Sequence, residues 1–259
     1  IFKTPDTSFH IADFIQSKPE LRGIKPDFVF IKTDATRRNL IKGLSRLDCP
    51  SFVSIADTHH LYRPLETMID YIKNENYTFI SAENDRHHLK WYKRAGFNNL
   101  CWIPNVALYP QIISRQVEDS YKYEIVFVGS LGKFHPFRGM VVDTLRANFK
   151  NRFHVGSANQ REASKIYNSS LISINVSLNS DLNWRFFEII AAGGFLLTDR
   201  VPKNSGINNF FEEGVHFDAY SSDKELIEKV DFYLKNPIRA IQIAKQGHQK
   251  YIECLKPSK

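Results

Sequence analysis

Cysteine is scarce in this chain: Cys49, Cys101 and Cys254 are its three, odd in number and far apart. That spacing excludes a disulfide framework and the paired arrangement of a zinc ribbon or redox motif, and it fits a reducing, cytoplasmic setting. No apolar run approaches the roughly 18 residues that cross a membrane, and no charged-then-apolar leader opens the chain, so a soluble protein is expected. Nowhere does an Asp-x-Asp triplet occur. Enzymes that hold a divalent cation against a diphosphate through such a pair are therefore disfavoured, and positive charge would have to come from Arg, Lys and helix termini. The Gly-Lys-Ser/Thr ending of a phosphate loop is missing, as is the three-glycine dinucleotide fingerprint.

What is present is an excess of base over acid, 35 Lys and Arg against 28 Asp and Glu, for a net charge of +7. The surplus favours acidic partners such as phosphates or an anionic membrane face. It is scattered over Arg37, Arg38, Lys90, Lys93, Arg94, Lys122, Lys133 and Arg138 rather than gathered, which is the pattern of a solvated surface, and no nucleic-acid module is recognisable.

Apolar strand-like runs alternate with helix-like segments along the whole chain, the signature of parallel sheets with helices on their faces. In the first half, strands are expected at 27–31, 51–55, 77–80 and 100–103, with helices near 35–47, 62–75 and 84–95. The first convincing strand comes only at Asp27, so the first domain is expected to be abbreviated at its start. Residues 105–121 lose periodicity, carry Pro110 and turn polar, as a linker does. The pattern restarts with Glu124-Ile-Val-Phe-Val-Gly-Ser130. Strands are expected near 152–155, 171–175, 195–198 and 215–218, and helices near 137–148, 160–168, 184–192, 206–212, 222–235 and 237–254. The fold class is thus α/β, with two Rossmann-like doubly wound domains facing a cleft: an N-terminal domain over 1–110, a linker over 111–121 and a C-terminal domain over 122–259.

Three segments can carry chemistry. Asn183-Trp-Arg-Phe-Phe-Glu188 opens an apolar helix that ends at Gly193-Gly194, and it sets Arg185 and Glu188 three residues apart near the helix N-terminus. Such a start attracts an anion, because its N–H groups lack partners and the helix dipole is positive. Arg185 would add a guanidinium fork and Glu188 would accept hydroxyl protons, so a ligand with phosphates and a sugar diol fits. An ordinary i, i+3 surface pair is the competing explanation. The turn Gly129-Ser-Leu-Gly-Lys133 with Arg138 beyond it could hold a diphosphate, or be a turn and nothing more. Asp57-Thr-His-His60 follows a strand, and there a histidine beside a carboxylate could act as general base, while Asp57 or Thr58 could equally cap the next helix. His87 and His88, with Asp85 nearby, could join His59 and His60 in a metal site, although no spacing demands one.

With these segments in view, the chain resembles glycosyltransferases of the two-domain GT-B type, in particular the group 1/family 4 branch and its CgeB-like relatives. The likeness lies in Phe127-Val-Gly-Ser130 followed by Arg138, in Arg185-Phe-Phe-Glu188-Ile-Ile-Ala-Ala-Gly-Gly194-Phe-Leu-Leu-Thr-Asp199, in Phe211-Glu-Glu-Gly214 and in Ala244-x-x-Gly247-His. It covers about 120–259 with good specificity and 25–110 more loosely. The resemblance implies sugar transfer from a nucleoside-diphosphate sugar to a hydroxyl of a glycan, lipid-linked or protein acceptor, with no catalytic metal or other cofactor.

Donor contacts would come from Gly129, Ser130, Lys133, Arg138, Asn183, Arg185 and Glu188. Acceptor-side catalysis would come from His60, then Asp57, with His59 behind. Work at the inner face of the membrane, by peripheral association, fits such a role. One departure stands out: many family 4 enzymes carry a second glutamate eight positions before the one at 188, and here that position is Ser180, beside Asp181. The alternative is therefore a catalytically inactive GT-B relative that binds a sugar nucleotide or glycan without turnover. A two-lobed ligand-binding protein of the periplasmic type also pairs α/β lobes, but the single linker argues against it.

Overall fold

A computed structural model describes residues 9–34, 40–58, 63–104, 121–131 and 136–256. The chain forms two compact units, Ile1–Pro104 and Asn105–Lys259. His59, His60, Lys133 and all but the last residue of the linker lie outside the described residues.

In the first unit, β1 (Phe9–His10) leads into α1 (Ile11–Ser17) and pairs in parallel with β3 (Ile41–Lys42). A four-stranded parallel sheet follows: β2 (Val29–Asp34), β4 (Ser51–Ala56), β5 (Phe79–Ala82) and β6 (Leu100–Trp102), side by side in that sequence, with α2 (Pro64–Glu75) and α3 (Leu89–Arg94) in the connections. Parallel crossovers are right-handed, so a sheet whose strands run in simple sequence places its connecting helices on one face. Ile31, Val53, Ile55 and Ile80 point to that face and form one core with Met68, Tyr71 and Ile72 of α2 and Tyr92 of α3. The other face bears a cross-strand ladder of Phe30, Phe52 and Phe79. The rings stack at 5.3 and 6.4 Å, and Phe30 remains 57% exposed.

The second unit is a five-stranded parallel sheet with helices on both faces. Its strands are β7 (Tyr123–Val128), β8 (Phe153–Gly156), β9 (Ser170–Asn175), β10 (Leu196–Asp199) and β11 (Asp218–Tyr220). The spatial order is β11-β10-β9-β7-β8. The chain steps one way from β7 to β8 and the other way from β8 onward, so α4 (Pro136–Phe149) lies on one face while α5 (Gln160–Asn168) and α6 (Trp184–Ala191) lie on the other. Strands covered on both faces read as continuous apolar runs. Ile125, Phe127, Ile172, Ile174 and Leu197 accordingly share a core with α4, α7 (Asp223–Lys235) and α8 (Pro237–Cys254). The reversal of direction falls between β7 and β9. In open α/β sheets that switch point is where ligands bind.

Three expectations fail locally. Residues 41–46 form β3 and a single 3-10 turn rather than part of a helix, because Gly43 takes a left-handed φ of 84° with the His10 ring against it. The helix expected at 206–212 is two 3-10 turns, Lys203–Ser205 and Ile207–Asn209, broken by Gly206 at φ 90°. The pairing of Phe9–His10 with Ile41–Lys42 lies before the first expected strand, and two-residue strands leave no periodicity to detect.

Candidate functional site

At the switch point β7 ends in Val128, and Gly129 turns the chain with φ 153°, a conformation that suits glycine. Helix α6 starts across the gap, after β9. Asn183 caps it: its side-chain oxygen accepts from the Phe186 N–H at 3.1 Å, and its amide donates to the Val176 carbonyl at 3.1 Å. Asn183 thus sets where the helix begins. Asp181 does not cap α6; it accepts from the Leu178 N–H and closes the loop just before the helix.

Arg185, in the first turn of α6, turns back over β7. Its Nε donates to the Val128 carbonyl at 2.7 Å, and its guanidinium lies 4.6 Å from the centre of the Phe127 ring. It also covers Gly129 so closely that a Cβ there would stand 2.0 Å from Nη2. Arg138, in the first turn of α4, comes to the same place from the opposite side of β7. Its Nη1 donates to the Ser130 carbonyl at 3.1 Å, and its guanidinium stands 5.9 Å from the Phe127 ring centre. Two cations therefore meet over one aromatic ring, and no salt bridge joins either to a carboxylate among the described residues. Arg138 is 6% exposed. Burial, and then the neighbouring Arg185, push its pKa down to about 10. The Nη1 of Arg185 and the Nε of Arg138 are both buried without a hydrogen-bond partner. Buried donors on a cation without a partner are costly, so the arrangement is suited to an anion.

Glu188 lies one turn beyond Arg185. No ion pair joins the two, since Arg185 is held over β7, and the surface-pair explanation does not apply. Burial raises the Glu188 carboxyl above its ordinary value, with Arg185 opposing. Asp199 at the end of β10 accepts from both the backbone N–H and the hydroxyl of Ser177, which ties the loop after β9 to the sheet. Burial raises the Asp199 carboxyl as well. The support of Ser177 by Asp199 could not be inferred from separate stretches of sequence; the only sign was an acid ending an apolar strand.

In the first unit a second polar cluster stands at the C-terminal ends of β4 and β5. Glu83, 3% exposed, accepts from the Ser54 hydroxyl at 2.7 Å and pairs with Lys32 at 3.1 Å. Asn84 donates to Asp57 at 3.4 Å. Helix α2 begins at Pro64 with Arg63 at its cap position, so Thr58 is not its cap. Instead the N–H and the hydroxyl of Thr58 both donate to Oδ2 of Asp85, at 3.0 and 2.9 Å, and Thr58 Oγ1 lies 2.7 Å from His88 Nδ1. One ligand atom each from Asp85, His87 and His88 lies within 4.8 Å of the others, a set that could hold a cation. Sequence inspection singled out the histidines and passed over Glu83 and Asn84. Three consecutive polar residues buried directly after an apolar strand were the available signal.

A two-unit α/β fold with two arginines meeting over Phe127 at the switch point of its second sheet defines a class. Solved structures with the same fold include HepE from Anabaena, solved with UDP and glucose, with a TM-score of 0.63 at 12% identity over 93% of this chain and 76% of that one. Sucrose-phosphate synthase from Thermosynechococcus elongatus matches with a TM-score of 0.60 at 10% identity, over 95% of this chain and 74% of its own. TarM from S. aureus matches with a TM-score of 0.59 at 11% identity over 81% of this chain, which spans about half the length of the TarM structures. The fold is thus that of the GT-B glycosyltransferases. By sequence, residues 111–254 match the glycosyl transferase-like family, and the chain belongs to it. No curated protein matches the chain by sequence comparison. Among the described residues, no helix is long and apolar enough to cross a membrane.

Proposed function

We propose that the protein moves a hexosyl group from a nucleoside-diphosphate sugar to a hydroxyl of a glycan, lipid-linked or protein acceptor, in the manner of the CgeB-like branch of group 1/family 4. The observation that carries this reading is the pair of arginines over Phe127 at the switch point, which no salt bridge joins to a carboxylate among the described residues. The second unit is the donor domain. Arg138 and Arg185, with Lys133, take the diphosphate, and the turn at Gly129 and Ser130 brings backbone close to it. Glu188 accepts the ribose hydroxyls, and Asn183 fixes the helix start that presents Arg185 and Glu188. The first unit is the acceptor side, with His60, then Asp57, which directly follows β4, and then His59 as the residues that act on the acceptor. As the C–O bond from the sugar to the diphosphate breaks, the arginines meet the charge that builds on the leaving group.

Two guanidinium groups supply that charge without a metal, so donor turnover should persist in excess EDTA. Abolition by EDTA and restoration by Mg²⁺ or Mn²⁺ would sink the metal-free mechanism. The Asp85, His87 and His88 cluster makes this a real test.

Glu188→Gln should raise thermal stability while weakening nucleotide binding roughly tenfold or more, the worth of one charge-assisted hydrogen bond. The sign follows from the raised pKa. Stability from protonated Glu188 is full below its unfolded value and is lost as pH rises through the raised folded value. At neutral pH the wild-type carboxylate is therefore a liability that Gln removes, and the gain should vanish in acid. Melting curves across pH check this; a lower melting temperature for the variant at neutral pH would contradict it.

Ser180 stands where the family's first glutamate is expected, in a loop where Asn179 and Ser180 both take positive φ. This favours, as second reading, a protein that binds the sugar nucleotide without turning it over.

A further inference from the structure

We propose that the outer face of α3 in the first unit is a docking surface for an anionic lipid membrane; this goes beyond the glycosyl-transfer reading and does not depend on it. The helix has two unlike faces. Leu89 packs against the core of the first unit, and Tyr92 is 1% exposed. Lys90, Trp91, Lys93 and Arg94 point outward and are all exposed, Trp91 by 39%. A large apolar ring thus stands in water amid three cations. The Lys90 Nζ lies 5.1 Å and the Arg94 guanidinium 4.7 Å from the Trp91 ring centre.

No carboxylate balances this charge. No salt bridge joins Lys90, Lys93 or Arg94 to an acid among the described residues, and the sequence holds no Asp or Glu between Asp85 and Glu118. The fold itself gains little from the arrangement. Lys90 stands three residues before Lys93 and four before Arg94, spacings at which like charges on a helix repel. The helix dipole favours Lys93 and Arg94 in the last turn, but its reach ends before Lys90. A face of this kind is suited to a partner that supplies the missing negative charge.

The ring selects among anionic partners. Lipid phosphates can take the ammonium and guanidinium groups while the indole settles at the level of the headgroups, its apolar body toward the acyl chains and its N–H toward water. A soluble polyanion offers Trp91 no apolar phase, and Lys90 and Arg94 lie over the ring where a nucleic-acid base would have to stack. Three cations and one indole make the attachment weak and reversible, governed by lipid charge and by salt.

The test is sedimentation of the full chain with vesicles of phosphatidylcholine alone and of phosphatidylcholine mixed with phosphatidylglycerol. Binding to the mixed vesicles only, falling as salt rises, is the expected result. Lys90→Gln, Lys93→Gln and Arg94→Gln together should weaken that binding roughly 100-fold, at about fivefold for each charge removed. The melting temperature of this triple variant should stay level or rise, because the repulsion is gone. With brominated phosphatidylcholine in the mixed vesicles, tryptophan fluorescence should be quenched in the wild-type chain and much less in Trp91→Phe. Binding unchanged in the triple variant, equal binding to uncharged vesicles, or quenching unchanged without Trp91 would overturn the proposal. A wild-type chain that does not bind the mixed vesicles overturns it too, and retention on heparin through the same three residues would then assign the face to a soluble polyanion.

Discussion

Arg185→Ala is expected to lower affinity for UDP by about 10- to 100-fold, the worth of the roughly 1.5–3 kcal/mol in a hydrogen bond to a charged group. Arg138→Ala should do the same, and the double variant should lose binding altogether. The expectation comes from where the two side chains spend their donors. Each gives one hydrogen bond to a backbone carbonyl, which holds the guanidinium in place, and each keeps a buried N–H without a partner. A diphosphate would satisfy those donors and relieve the repulsion that helps push Arg138 down to about 10. The two guanidinium groups repel each other, so removing either arginine should cost little stability. Gly129→Ala should mimic Arg185→Ala, because its Cβ would occupy the space of Nη2. Calorimetric titration with UDP in EDTA decides. Affinity unchanged in all three single variants would mean that the nucleotide binds elsewhere.

The largest effect on stability is expected from Gly247→Ala. Gly247 lies where α8 crosses the loop between β10 and β11, and a Cβ there would come 2.3 Å from the His216 carbonyl oxygen. Nothing in that contact is a flexible side-chain end, so helix or loop must shift. The loop is held firmly: Arg200 at its start pairs with Glu213 and Glu225, Gly214 donates to the Phe217 carbonyl at 2.7 Å, and the Phe211 ring packs on Phe186 of α6. Nor can α8 retreat freely, since His248 Nδ1 meets the Ile190 carbonyl at the end of α6 at 3.1 Å. Overpacking of this kind costs about 1–3 kcal/mol, which in a unit of this size lowers the melting temperature by roughly 2–12 °C. Gly139→Ala is the control. It lies within α4 with open space around its Cβ position, so the same substitution should be neutral or stabilising. Equal melting temperatures for the two variants would contradict the packing described.

Much of the second unit was legible in the sequence because its signals are local. Asn159, Asn183 and Ser222 cap α5, α6 and α7, and Gly193 follows the end of α6 with φ 72°. The buried strands are continuous apolar runs, and the strand-turn unit at Val128-Gly129 announces itself by composition. What could not be read was partnership across the sheet. That Arg185 reaches the Val128 carbonyl rather than Glu188 depends on β7 and β9 being neighbours, a consequence of the order in which the strands assemble. In the first unit, Thr58 looked like a helix cap because its true partner, Asp85, lies 27 residues away on the next strand's exit. The Phe30, Phe52 and Phe79 ladder was hidden for the same reason: each is an ordinary strand residue until register aligns the three.

The measurement that tests the account most directly is release of nucleoside diphosphate from UDP-, GDP-, ADP- and TDP-sugars, with a cell extract as acceptor source, EDTA present, and Glu188→Ala in parallel. Release confined to one donor, persisting in EDTA and collapsing in the variant, is the predicted result. Nucleotide binding with no release from any donor would contradict transfer and leave a sugar-nucleotide binding protein in its place.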